Sequence, residues 1–110
     1  MVIFRNAEDR EELNEKFHEY VTEALAEASA LIAERGKGYD FAMAAVDYYP
    51  HGTQDLIYEL YKKLMRTKSA MLAEKAHRPV DGKVEDGILD SINYQAFLYA
   101  YRKMEKEGLI

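Results

Sequence analysis

Glu85-Asp86-Gly87-Ile88-Leu89-Asp90-Ser91-Ile92-Asn93-Tyr94 is the stretch on which the reading of this chain turns. It opens a segment that runs from about Val84 to Glu107 and stops at Gly108. Ile88, Leu89, Ile92, Ala96 and Tyr99 recur at helical intervals and make one apolar face. Tyr94, Phe97 and Tyr101 make a second, beside Asp86, Asp90 and Asn93. A helix apolar on two sides is central in its bundle or covered by another subunit. A three-helix domain has little room for a central helix, so the pattern points to a homo-oligomer, most simply a dimer.

The rest of the chain reads as helix too. Breaks fall at Gly36-Lys37-Gly38, Tyr49-Pro50-His51-Gly52 and Arg78-Pro79-Val80-Asp81-Gly82-Lys83. The first helix starts near Asn6, a good N-cap, and stops at Gly36. Its face is Leu13, Phe17, Tyr20, Val21, Ala24, Ala28 and Leu31. A short helix is expected over Tyr39 to Tyr48, ended by Pro50. The next long helix begins near Thr53, with Ile57, Leu60, Tyr61, Leu64, Met65, Met71 and Leu72 as its stripe and Lys68 in the middle. No two-residue alternation suggests a strand. The expected fold is an all-α bundle of three long helices and one short one, a single domain over residues 1–110, completed by oligomerisation.

Composition narrows the function. A net charge of -5 argues against binding a nucleic-acid backbone. Without cysteine there is no disulfide, thiolate nucleophile or cysteine zinc site. The apolar run Met1 to Phe4 is too short for a signal peptide, and no stretch would span a bilayer, so a cytoplasmic protein without a membrane partner is expected.

Asp86, Asp90 and Asn93 stand four and three residues apart on one helical face. A hard cation such as Mg²⁺ takes one or two carboxylates together with substrate phosphates. Ordinary structure also accounts for these acids: a helix dipole for Glu85 and Asp86, an interhelical ion pair for Asp90. Lys62, Lys63, Arg66 and Lys68 are groups that hold phosphate. Lys62 and Arg66 are expected to face water. Lys68, amid apolar neighbours, must snorkel or find an anion: Asp90, Glu85 or a ligand phosphate. Glu19, Glu23 and Glu27 form a ladder beside the first helix's stripe, solvated or completing a carboxylate cluster with Asp86 and Asp90. His51 and Gly52 suit either an anion at a helix N-terminus or a plain turn. His18 and His77 read as surface residues. No serine stands at a readable spacing from a histidine and an acid, and no Gly-rich phosphate loop is present.

From Gly38 onward the order of features resembles a family found mostly in phages, the nucleotide modification associated domain of type 1. The matching residues are Gly38-Tyr39-Asp40, His51-Gly52, Lys63-Leu64-Met65-Arg66 and Glu85 through Tyr94. The last helix is also similar to the second acidic helix of MazG-type all-α nucleoside-triphosphate pyrophosphohydrolases. That likeness implies Glu85 or Asp86, with Asp90, as Mg²⁺ ligands. The other acidic helix of that family carries Glu-Glu-x-x-Glu, whereas Leu64 to Glu74 here offers Arg66, Lys68 and Ser69, and only Glu74 is acidic. Cations in place of metal ligands imply binding without turnover.

The resulting expectation is a small phage-type helical protein, in the bacterial host's cytoplasm, that binds a nucleotide or nucleotide-derived ligand. Lys63, Arg66 and Lys68 would meet phosphate, Asp90 and Asn93 base or ribose, and Tyr94 would stack. No catalytic residue is assigned. The alternatives are a Mg²⁺-dependent pyrophosphohydrolase with Asp86 and Asp90 as metal ligands, and a helical protein-interaction module.

Overall fold

A computed structural model describes residues 3–36, 43–79 and 84–110. Among these the chain forms α1 (Ala7–Gly36), a single 3₁₀ turn (Ala45–Tyr48), α2 (Thr53–Lys75) and α3 (Val84–Lys106), with no strand. The Gly38-Tyr39-Asp40 motif, the Tyr39 to Ala42 part of the expected short helix and the Val80 to Lys83 part of the last break lie outside the described residues.

Each described boundary has a local cause. The Asn6 side-chain oxygen accepts the Asp9 N–H at 2.9 Å and caps α1. In place of the expected α-helix before Pro50 stands one tight turn. The Asp47 carboxylate accepts the Ala44 N–H at 3.0 Å, and the Tyr49 N–H reaches the Val46 carbonyl at 3.2 Å. Three-residue bonds followed by a proline leave no room for a further turn. Gly52 then takes φ +69°, a conformation suited to glycine, while the Asp55 carboxylate accepts the His51 N–H at 2.7 Å.

α2 ends on His77, whose φ of +55° is one that glycine normally supplies. The Arg78 N–H still reaches the Ala73 carbonyl at 2.8 Å, closing the helix end. A β-carbon in the left-handed region costs about 1–2 kcal/mol. His77→Gly is therefore expected to raise stability by about 1 kcal/mol, read as a higher urea midpoint at unchanged slope. α3 closes the same way with the usual residue, Gly108 at φ +74°.

α3 packs on both α1 and α2. It is the central helix after all, so part of its two-faced pattern is explained within one chain. At the α2 crossing, a β-carbon on Gly87 would collide with the Thr67 hydroxyl. That hydroxyl donates to the Lys63 carbonyl at 2.9 Å, and Ser91 donates to the Gly87 carbonyl at 2.9 Å. Small residues whose hydroxyls turn back onto their own helices let the two backbones approach. Gly87→Ala gains helix propensity of about 1 kcal/mol but overpacks the crossing by about 1–3 kcal/mol. A net loss of stability is expected, relieved in the double variant with Thr67→Ala.

The faces differ from expectation. Among the described residues the buried apolar side chains are Ala28, Leu56 and Val84. The inward face of α2 is Leu56, Leu60, Lys63, Thr67 and Ala70, whereas Ile57, Tyr61, Leu64, Met65, Met71 and Leu72 are exposed. Successive helical residues differ by about 100°, which sets the expected stripe roughly 120° away from the face that meets α3. Only Leu60 belongs to both. On α1, Ala24, Ala28 and Leu31 are covered, but every residue from Ile3 to Glu23 is exposed, Leu13 and Phe17 included.

Candidate functional site

α1's last turns, the 3₁₀ turn and the facing sides of α2 and α3 enclose a cleft of about 700 Å³. α3 supplies its floor: Asp90, Asn93, Phe97, Ala100 and Met104 follow one another at helical spacing, with Tyr94 and Tyr101 beside them. The Tyr48-Tyr49-Pro50-His51 turn, with Tyr58 of α2, adds walls, and Ile32 of α1 completes them. Tyr94 and Phe97 stand edge to face, ring centres 5.4 Å apart.

Three carboxylates line the cleft, and each is engaged from its own side. Asp55 holds the His51 amide. Glu59 binds Lys62 at 2.8 Å, which raises that ammonium above its ordinary pKa and sets it 5.0 Å over the Tyr58 ring. Asp90 faces Lys63 across the α2–α3 crossing at 3.7 Å, both largely covered, and the same ammonium lies 5.7 Å from the Tyr94 ring centre. Among the described residues no lysine or arginine lines the cleft itself. Its interior is aromatic and carboxylate-rich, and cations stand behind the acids.

Asn93 differs from these groups. The residue is only 5% exposed, and among the described residues no side-chain polar atom, its amide included, is both fully buried and without a partner. What remains of its exposure lies on the cleft that it lines.

The structure brings together four of the six expected ligand residues: Lys63, Asp90, Asn93 and Tyr94. It separates the other two. Arg66 and Lys68 are exposed and do not line the cleft, and Lys68 forms no ion pair among the described residues. The cation that meets Asp90 is Lys63, because the inward face of α2 carries 63 and 67 rather than 64 and 68. Lys62 is half-buried against Glu59 rather than facing water, whereas Arg66 faces water as expected.

Asp86 and Glu85 are exposed in the first turn of α3, where they favour the helix dipole. Glu19, Glu23 and Glu27 are exposed and do not join Asp90. Among the described residues no three acidic or histidine side chains converge as ion ligands. The amides before α2 are taken, since Asp55 of the same chain sits where an anion would bind.

Tyr48, Tyr49, Tyr58, Asp55 and Glu59 are lining residues that the sequence did not single out as a site, and His51, read as either an anion site or a plain turn, lines the cleft with them. A usable signal existed in Tyr48-Tyr49-Pro50-His51-Gly52, aromatic residues bunched on a tight turn. No described helix is long and apolar enough to cross a membrane. No family model, curated protein or solved structure matches this chain.

Proposed function

We propose that this chain is a small helical protein that binds a nucleotide or nucleotide-derived ligand, with the base in the aromatic cleft. The observation that carries the reading is Asn93, a nearly buried amide that lines the cleft beside Asp90, Tyr94 and Phe97. A nucleobase offers what that set lacks: a planar face for Tyr94 and its neighbours, and an edge of alternating donors and acceptors for amide and carboxylate. The described lining has no lysine or arginine, so the phosphate end turns outward, toward Lys63, which pairs with Asp90 at 3.7 Å. This assigns base recognition to α3 and removes Arg66 and Lys68 from the ligand set. The phage-family likeness of the Lys63 and Asp90–Tyr94 motifs gives such a protein two roles, as an accessory in nucleotide-pool modification or as a sponge for a nucleotide immune signal.

Binding is preferred to hydrolysis because Asp90 is already engaged by Lys63 and Asp86 is exposed in the first turn of α3. Calorimetry with nucleosides, nucleoside triphosphates and cyclic or ADP-ribose-type nucleotides tests the reading. Binding that the nucleoside largely retains is expected. No heat from any of them at protein concentrations above about 100 µM would overturn it. Pyrophosphate release from a triphosphate with Mg²⁺, lost in Asp90→Ala, would make the chain an enzyme instead.

A further inference from the structure

The cleft leaves most of the exposed apolar surface unexplained. A folded chain of 12.7 kDa is expected to show about 6,200 Å² of accessible surface, and this one shows 9261 Å². Its radius of gyration is 17.9 Å, where a compact chain of this length has about 13 Å. The excess, about 3,000 Å², is on the scale that a large obligate interface removes. Exposed large apolar side chains gather on two surfaces among the described residues. One is the bare part of α1, where Leu13, Phe17, Tyr20 and Val21 lie on one side and Phe17 is 67% exposed. The other is the outward stripe of α2, from Ile57 through Leu64 to Leu72.

A helix arm of that length with no tertiary contact is marginal in water. The α1 arm has a mainly acidic border: its apolar stripe is edged by Glu12, Glu19, Glu23 and Glu27, all exposed, with Lys16 paired to Glu19 at 3.2 Å and Arg10 the other cation of the arm. The α2 stripe has the opposite one, with Lys68 at its centre and Lys75 at its end, both exposed. Their lengths agree. Ala7 to Glu23 spans about 25 Å and Ile57 to Leu72 about 23 Å.

We propose that two copies of this chain exchange arms, the α1 of each lying along the outward stripe of the other's α2. Charge selects this pairing over its rivals. Two α1 arms together would bring glutamate ladders face to face, and two α2 stripes would oppose Lys68 with Lys68. Arm on stripe buries both apolar surfaces and gives Lys68 an anion, which it lacks among the described residues. The contact is self-complementary, as a two-fold dimer requires. Tyr58 flanks the stripe beside Ile57 and also lines the cleft, so the partner's arm would cover one rim of the cleft. The proposal stands whether or not the cleft takes a nucleotide.

Sedimentation velocity on the full chain at roughly 50 µM, where a micromolar dimer is mostly formed, is the test. The expected species has twice the chain mass, and salt weakens it. Lys68→Glu should weaken the dimer about tenfold. Adding Glu19→Lys, Glu23→Lys and Glu27→Lys to that chain should restore it to within about threefold of the original. Leu64→Glu should give monomer. A wild-type monomer under these conditions would assign both faces to a different protein and overturn the proposal. So would a dimer lost in Phe17→Glu but indifferent to Leu64→Glu and Lys68→Glu, the behaviour of arms paired with each other.

Discussion

Leu56→Ala is expected to destabilise the protein by about 2–5 kcal/mol, the largest loss from truncating any one of its described side chains. Leu56 is 1% exposed and is the largest fully buried side chain among the described residues. It stands in the first turn of α2, on the side that meets α3. The chain buries so little else that few neighbours can close over the hole. A domain of this size holds about 5–15 kcal/mol in all, so the loss is a large share. Urea unfolding followed by circular dichroism measures it, at one fixed protein concentration, because an assembling chain gains apparent stability with concentration. A cost below about 1 kcal/mol would contradict the packing of α2 on α3.

Asn93→Leu is expected to separate binding from stability. Leucine has a similar branched shape to asparagine and no polar atoms. A bidentate amide–base contact contributes about 1–3 kcal/mol, so nucleoside affinity should fall roughly 5- to 150-fold. Stability should hold or rise, because an apolar side chain replaces a polar amide at a nearly buried site. A structural asparagine would behave the other way, losing stability and sparing the ligand. Calorimetric titration beside thermal unfolding of the same variant reads both.

The helices and their ends were legible in the sequence because their causes are local. Asn6 caps, Pro50 and Gly52 interrupt, and Gly108 stops, whatever the rest of the chain does. The faces were not legible. Periodicity locates the apolar stripe of a helix, and equating that stripe with the intrachain core puts Ile57, Leu64 and Lys68 inside. The α2–α3 contact is made instead through Gly87, Thr67 and Ser91, small residues that carry little hydropathy but let backbones approach. The same reversal set Lys63, not Lys68, against Asp90. Within the site, Asp90, Asn93 and Tyr94 could be read from one segment because they share one turn of helix. Tyr48, Tyr58 and Ile32 come to the cleft from three other elements, and no local pattern connects them.

Base recognition depends on a nucleobase meeting the Asn93 amide, and that amide can be watched directly. In a ¹H–¹⁵N spectrum of labelled protein, the paired side-chain N–H signals of Asn93 are assigned by their absence in Asn93→Leu. Titration with nucleoside should shift that pair and slow its exchange with water, with Arg66 and Lys68 backbone signals unmoved. Saturable nucleoside binding that leaves the Asn93 pair in place, or no binding at all, would contradict base recognition by α3.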